Sequence, residues 1–357
     1  MAISRVKIIG SGLIGTSIAL ALAEKGAEVT MVDRSPASAA LAQALVGGKG
    51  DLTGKFDLTV IAIPPAAISD EFLSEISSDV YSTFIDVASV KSNLLARVAS
   101  IDGLAGRFCS THPMAGREVG GPASARADLF EGRNWIVLNG STLEADRLAA
   151  VNELISICGA RAVVMAPDEH DRALALLSHL PQVLASILAT QLKDVPVEIL
   201  DLAGQGMKDT IRIAGSDPKL WREIISANSD EIAPLLKAVR NSLDEAIKNI
   251  NDPAAIEALI ESGQGARNRI PGKHGGVSRN YSYIPIVIPD KAGQLGALFN
   301  ECALADVNIE DLSIEHSPGQ QTGLITLAVS PTDAPRLSAH LSAAGWDVHS
   351  FEQNSSE

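Results

Sequence analysis

The chain has 357 residues, 46% apolar and 20% charged, a composition that excludes a disordered chain and, at this length, a single core; two or three domains are expected. Asp and Glu number 43 against 29 Lys and Arg, and the net charge of −14 argues against nucleic acid or an anionic membrane as a main partner. Cys109, Cys158 and Cys302 lie far apart with no CxxC pair and no His/Cys cluster at metal spacing, so no metal site is expected and a reduced, cytoplasmic setting fits best.

From residue 5 to about 165, strand and helix patterns alternate: VKIIG, a helix from Leu13 to Lys25, EVTMVD, DLTVIAIP, TFIDVAS, RFCSTHP and NWIVLNG. That order predicts a Rossmann-like, doubly wound parallel sheet over residues 1–165. The N-terminus enters a strand by Val6 rather than a signal peptide, and no apolar run reaches the ~18 residues that span a bilayer. From Asp168 to about Ser262 strand signals vanish and helical periodicity takes over, predicting an all-helical domain over 166–262. Residues 263–281 are rich in glycine and basic residues and read as a linker. Residues 282–357 then give strand, helix, two strands, helix and strand, the order of a small ferredoxin-like domain.

GSGLIG, Gly10 to Gly15, follows the first strand and opens the first helix. There Gly10 permits the tight turn, Gly12 the close approach of a pyrophosphate and Gly15 the packing of helix on strand. Asp33 ends the next strand, where a carboxylate binds adenosine ribose hydroxyls and repels a 2′-phosphate. NAD is favoured, although Arg34 beside Asp33 tolerates a phosphate and leaves NADP open. Leu13, Ile14, Ile63 and Pro64 complete the expected cofactor contacts. Ligands of such sheets bind beyond the carboxyl ends of the strands, and Gly10, Asp33, Pro64, Ser89 and His112 fall on that rim. The residues leave two readings of His112 open, a general base near neutral pH or a satisfied structural histidine. Ser89 is either a ligand contact or the N-cap of SNLLARVA. Pro181 inside LSHLPQVL predicts a kink, and Pro218 and Trp221 a helix start with an aromatic anchor.

THPMAGREVGGP, LFEGRNWIV, LLSHLP and GMKDTIRIAGSDPKLW, in this order, resemble the prephenate dehydrogenases and their arogenate-using relatives, from the glycine loop to about residue 262. PDKAGQLGALF resembles an ACT-type regulatory domain. The resemblance implies NAD-dependent oxidative decarboxylation of prephenate to 4-hydroxyphenylpyruvate on the route to tyrosine, with arogenate as the alternative substrate. It implies that His112 accepts a hydrogen bond from the ring hydroxyl, that Ser89 lies near nicotinamide and hydroxyl, and that Arg212 binds a substrate carboxylate. It further implies that Glu118 lines the entrance or pairs with Arg212, and that His179 and Lys208 complete the polar lining. Gln182 stands where relatives often have a second histidine, and a neutral side chain there gives no special hold on the ammonium of arogenate. A homodimer built on the helical domain is expected. So is an amino-acid effector, tyrosine by the logic of the pathway, near Asp290, Gly293 and Asn308. The rival readings are a 3-hydroxyacid or 6-phosphogluconate type of dehydrogenase and a nonenzymatic NAD and amino-acid sensor.

Overall fold

The computed structural model describes residues 3–48, 50–117, 119–138, 143–270, 281–316 and 322–349. The chain divides into two compact units, Met1–Asn241 and Ser242–Glu357. In the first, β1 (Arg5–Ile9), β2 (Glu28–Val32), β3 (Leu58–Ile61), β4 (Thr83–Asp86), β5 (Phe108–Pro113), β6 (Asn134–Leu138) and β7 (Arg161–Met165) form one sheet in the order β2-β1-β3-β4-β5-β6-β7. The first five strands are parallel. β3 and β4 are buried at every residue, as strands covered on both faces must be. The helix Leu13–Glu24 presses Ile18, Ala19 and Leu22 into the core formed by Val6, Ile8, Val29, Leu58 and Val60.

The doubly wound sheet is present with one correction: it is mixed. β6 runs antiparallel to β5, with His112 opposite Ile136, and β7 then runs parallel to β6. A parallel return needs a crossover, usually a helix. Between β5 and β6 the described residues contain only the short 3₁₀ turn Pro122–Ser124, so the chain comes back in the opposite sense.

The helical part of this unit starts with Pro167–Leu174, continues through Ala175–His179 as a π-helical turn, and resumes as Leu180–Thr190. Pro181 lacks the N–H that would reach the carbonyl a turn earlier, and its ring crowds that carbonyl. The backbone widens to i→i+5 spacing immediately before it, which is how the disruption expected at Pro181 is realised. By length and composition the run Pro167–Thr190 is apolar enough to cross a bilayer, contrary to the sequence expectation. It nevertheless buries His170, Asp171, His179 and Gln182, each of them hydrogen-bonded inside this unit. The shorter helices Val197–Leu200, Gln205–Ile211 and Pro218–Ala227 follow, and then the long helix Ser229–Lys248, of which the residues up to Asn241 belong to this unit.

In the second unit the helix Pro253–Arg267, capped by Asp252, runs into the segment expected to be a linker. Aspartate at the cap and proline at the first turn favour helix there, and the glycines Gly263 and Gly265 are tolerated near its end. Residues 271–280, the rest of that segment, lie outside the described residues. β8 (Ser282–Pro289), the helix Gln294–Leu304, β9 (Asp311–His316), β10 (Thr322–Val329), the helix Ala334–Ala343 and β11 (Asp347–Val348) follow, with an antiparallel sheet in the order β11-β8-β10-β9. Alternate residues Ile284, Ile286 and Ile288 of β8 face a core shared with Ile325, Leu327, Leu298 and Leu337.

Candidate active site

The glycine loop is shaped as its spacing requires. Gly10 has φ +108°, and a Cβ on it would lie 2.3 Å from the carbonyl oxygen of Ala62. A Cβ on Gly15 would lie 2.1 Å from the carbonyl oxygen of Gly10. Gly12, by contrast, faces open space, with nothing within 4 Å of a Cβ placed there. It is the N-cap of the helix Leu13–Glu24 and offers no capping side chain, so the first amides of that helix remain available to an anion. Asp33, just past β2, accepts from the Ser11 amide and hydroxyl, both at 2.8 Å, and from the Ser35 amide at 2.8 Å. Burial would raise its pKa, but these hydrogen bonds and the Arg34 guanidinium hold it below the usual carboxylate range. A fixed carboxylate next to an open helix N-terminus is the donor and acceptor set that the ribose and pyrophosphate of NAD require. Arg34 follows directly, and Ile63 and Pro64 leave the end of β3 on the same edge of the sheet.

His112 occupies the end of β5, half-buried. Its Nδ1 lies 2.9 Å from Nε2 of the buried His170, and Nδ1 of His170 lies 2.8 Å from Oδ1 of Asp171. Asp171 in turn accepts from the Ser92 amide at 2.8 Å, the Ser92 hydroxyl at 2.5 Å and the Lys91 amide at 3.1 Å. Those groups begin the helix Ser92–Ala99, so an anion from the helical region caps a helix of the sheet region. Ser89 therefore does not fill the N-cap role; it is half-buried in the loop between β4 and that helix. Burial works against ionisation of Asp171, but the bonds from His170 and Ser92 win and lower its pKa to about 2.

Beneath His112 the ammonium of Lys91, fully buried, contacts Asp86 and the carbonyl of Thr111, while Ser110 donates to the other oxygen of Asp86 at 2.6 Å. Burial pulls the Lys91 pKa down, and the Asp86 carboxylate opposes the fall. Burial, the Lys91 ammonium and the neighbouring His170 and His179 rings together drive the pKa of His112 well below its ordinary value, with Asp171 only partly offsetting them. His112 is therefore neutral at pH 7, the state a proton acceptor needs.

His179, at the end of the π turn, is 1% exposed. The amide nitrogen of Asn228 bridges the Asp171 carbonyl at 2.8 Å and Nδ1 of His179 at 3.0 Å. Because a carbonyl only accepts, this nitrogen must be the donor, and His179 keeps its proton on Nε2. Burial lowers the His179 pKa to about 4, with His170 acting in the same direction and Asp171 against both. Trp221 packs edge-on against its ring at 6.0 Å, the aromatic anchor of a helix that does start at Pro218, capped by Asp217. Gln182 is buried and meets the Ser186 and Ser216 hydroxyls at 3.4 Å. The Ser216 contact links it to the segment carrying Lys208 and Arg212, both exposed, at the end of the helix Gln205–Ile211 and in the following 3₁₀ turn. Glu118 lies outside the described residues. The loop leaving β5 borders a cavity of about 500 Å³ lined by Met114, Gly116, Arg117, Arg126, Asp128 and Arg133. In the second unit Asp290 and Gly293 line a cavity of about 280 Å³ with Ile288, Leu295, Ile314 and Gly323. Asn308 is absent from that lining and donates instead to Glu310 at 3.0 Å.

Residues 18–164 match the nucleotide-binding domain of prephenate dehydrogenases, and residues 166–262 match their dimerization domain. The chain belongs to the prephenate dehydrogenase family. A probable prephenate dehydrogenase of Streptomyces niveus, NovF, is 29% identical over 96% of this chain and 99% of its own length. The prephenate dehydrogenase of Lactococcus lactis is 28% identical over 88% of this chain and 92% of its own. Among solved structures, the prephenate dehydrogenase of A. aeolicus, in complex with hydroxyphenyl propionate and NAD+, superposes with a TM-score of 0.66 at 27% identity, over 75% of this chain and 98% of that one.

In this member of the family the residues that sequence reasoning passed over are Ser11, Lys91, His170, Asp171 and Asn228. The signal for two of them was present: DEHD places a histidine and an aspartate side by side at the head of an otherwise apolar helix. Nothing local marks Lys91 as buried, because lysine is almost never buried unless paired and its partner Asp86 is supplied by the fold.

Proposed function

We propose that the chain catalyses the NAD-dependent oxidative decarboxylation of prephenate to 4-hydroxyphenylpyruvate. The observation that carries the reading is the neutral imidazole of His112 at the carboxyl edge of a NAD-binding sheet, one ring nitrogen held by His170 and the other without a partner among the described residues. When bound, NAD supplies the two-electron oxidant for the ring carbon that bears the hydroxyl. His112 accepts the hydroxyl proton as that carbon is oxidised to a carbonyl. The bond to the ring carboxylate then breaks, carbon dioxide leaves, and the bonding electrons aromatise the ring and reach the oxygen, which takes its proton back from His112. No net proton is consumed, so one neutral imidazole serves as base and then as acid. Such a group contributes roughly 10²- to 10⁴-fold.

Arg212, with its planar fork, holds a carboxylate of the dianion, assisted by Lys208. His179 donates from Nε2, Gln182 reads the side chain, and Ser89 orients the nicotinamide or the hydroxyl. The neutral Gln182 favours prephenate over arogenate. The helical region, residues 166–262, builds a homodimer. Residues 282–357 are an ACT-type regulatory domain of ferredoxin-like form, supported by the strand order β11-β8-β10-β9 and by the cavity at Asp290 and Gly293, which takes an amino acid such as tyrosine. The three cysteines, all buried and unpaired, agree with a reducing cytoplasm. The test is to supply prephenate or arogenate with NAD or NADP and to follow the reduced cofactor. Fast turnover of prephenate with NAD is expected; preference for arogenate, or NAD binding without turnover, would overturn the reading in favour of an arogenate dehydrogenase or a sensor.

A further inference from the structure

The line His112, His170, Asp171 has an acceptor at one end and the reactive edge of the site at the other. Resting on the reading of His112 as the base, we propose that His170 and Asp171 are positioning residues that fix the tautomer of His112, keeping Nδ1 protonated and Nε2 bare toward the substrate. The carboxylate of Asp171 only accepts, so at 2.8 Å the His170 Nδ1 must carry a hydrogen. A neutral His170 is then bare at Nε2, and at 2.9 Å the His112 Nδ1 must donate to it. A neutral His112 has only Nε2 left as a lone pair. Each ring in the chain is thus set by the one behind it.

The far end is pinned as firmly. Oδ2 of Asp171 takes the Ser92 amide and hydroxyl, while Oδ1 takes His170 and the Lys91 amide, so the carboxylate cannot rotate without unmaking bonds to a helix N-terminus. Both His170 and Asp171 are buried, which keeps water from replacing either partner. When His112 gains the hydroxyl proton at Nε2, its Nδ1–H still points along the same line at a carboxylate one ring away. The positive charge is stabilised without moving an atom of the framework.

The substitution Asp171→Asn tests this sharply. Two short bonds from Ser92 keep the amide oxygen at the Oδ2 position, so the amide nitrogen faces His170 Nδ1 and donates to it. His170 must then carry its proton on Nε2 and donate to His112 Nδ1, and the proton of His112 moves to Nε2. A base with its lone pair turned inward cannot take the hydroxyl proton, the loss seen when the aspartate of a hydrolase triad is replaced by asparagine.

The experiment is nitrogen NMR of histidine-labelled protein above pH 7 without substrate, with His112 assigned by comparison with His112→Asn. The wild type is expected to show a protonated Nδ1 and a bare Nε2 at His112, and Asp171→Asn the reverse, with kcat/KM for prephenate lower by about 10²-fold or more. His170→Gln, whose side-chain oxygen reaches the Nε2 position, should keep activity within about tenfold, while His170→Leu should lose about 10²-fold. A wild-type His112 protonated at Nε2 overturns the proposal, and that spectrum needs no variant to fold. So does Asp171→Asn with unchanged tautomer and rate. The predicted tautomer in a protein that does not oxidise prephenate would instead count against the assigned reaction alone.

Discussion

Alanine at two glycines of the same loop should have opposite effects. In Gly15→Ala the new methyl would lie 2.1 Å from the carbonyl oxygen of Gly10, 3.0 Å from Cβ of Ala62 and 3.2 Å from Cγ2 of Ile8. The first neighbour is backbone in the turn itself and must retreat by roughly 1 Å to reach ordinary contact. Overpacking of this kind costs about 1–3 kcal/mol, or more where backbone has to move. For a unit of this size, at about 2–4 °C per kcal/mol, that lowers the melting temperature by roughly 2–12 °C. In Gly12→Ala the methyl meets nothing within 4 Å and φ is −73°, comfortable for alanine. The free protein should melt within about 1 °C of wild type. The methyl instead occupies the space through which a pyrophosphate approaches the helix amides, and the affinity for NAD should fall by about tenfold or more, roughly 1.4 kcal/mol. Thermal melts without cofactor, paired with calorimetric titration of NAD, read both effects. A Gly12→Ala protein that loses several degrees yet binds NAD normally, or a Gly15→Ala protein that melts like wild type, would contradict these roles of the two glycines.

Stability should depend on pH through His179 and Asp171. Both pKa values are depressed in the fold, so their contributions are complete above the ordinary values of 6.5 and 3.8 and are lost as pH falls toward about 4 and about 2. At ~1.4 kcal/mol per pH unit this is about 3 kcal/mol for His179 and about 2 kcal/mol for Asp171; denaturant melts that stay level from pH 6.5 to 4 would contradict it. The depressed pKa of His112 predicts that kcat/KM for prephenate holds steady from neutrality down through pH 6.5, with its acid limb well below; half-loss near pH 6.5 would contradict the burial argument. Arg212→Ala should raise KM for prephenate by about tenfold or more while leaving the Kd for NAD unchanged, since removing one carboxylate contact costs roughly 1.5–3 kcal/mol.

The glycine loop, Asp33 and the rim at the strand ends were legible because each depends on local spacing, and the alternation of strand and helix up to residue 138 was legible for the same reason. The direction of β6 was not. NWIVL reads as a strand in either sense, and only the missing crossover helix between β5 and β6 sets it antiparallel. The π turn was half legible: Pro181 announces a fault in the helix, but whether the helix kinks or widens depends on what packs around it. His170 and Asp171 were hidden because acidic residues at a helix start have a sufficient local reason to be there, and their partners His112 and Ser92 come from distant segments. Lys91 was hidden because its burial is decided by Asp86 and the Thr111 carbonyl rather than by its neighbours in sequence.

The most direct test of the account is the steady-state rate of His112→Asn with prephenate and NAD, measured beside its affinity for NAD. Loss of the base should lower kcat by about 10²- to 10⁴-fold while the NAD affinity stays at the wild-type value. A variant that oxidises prephenate within a few-fold of wild type would show that the hydroxyl proton leaves by another route and that the imidazole at position 112 is only part of the scaffold.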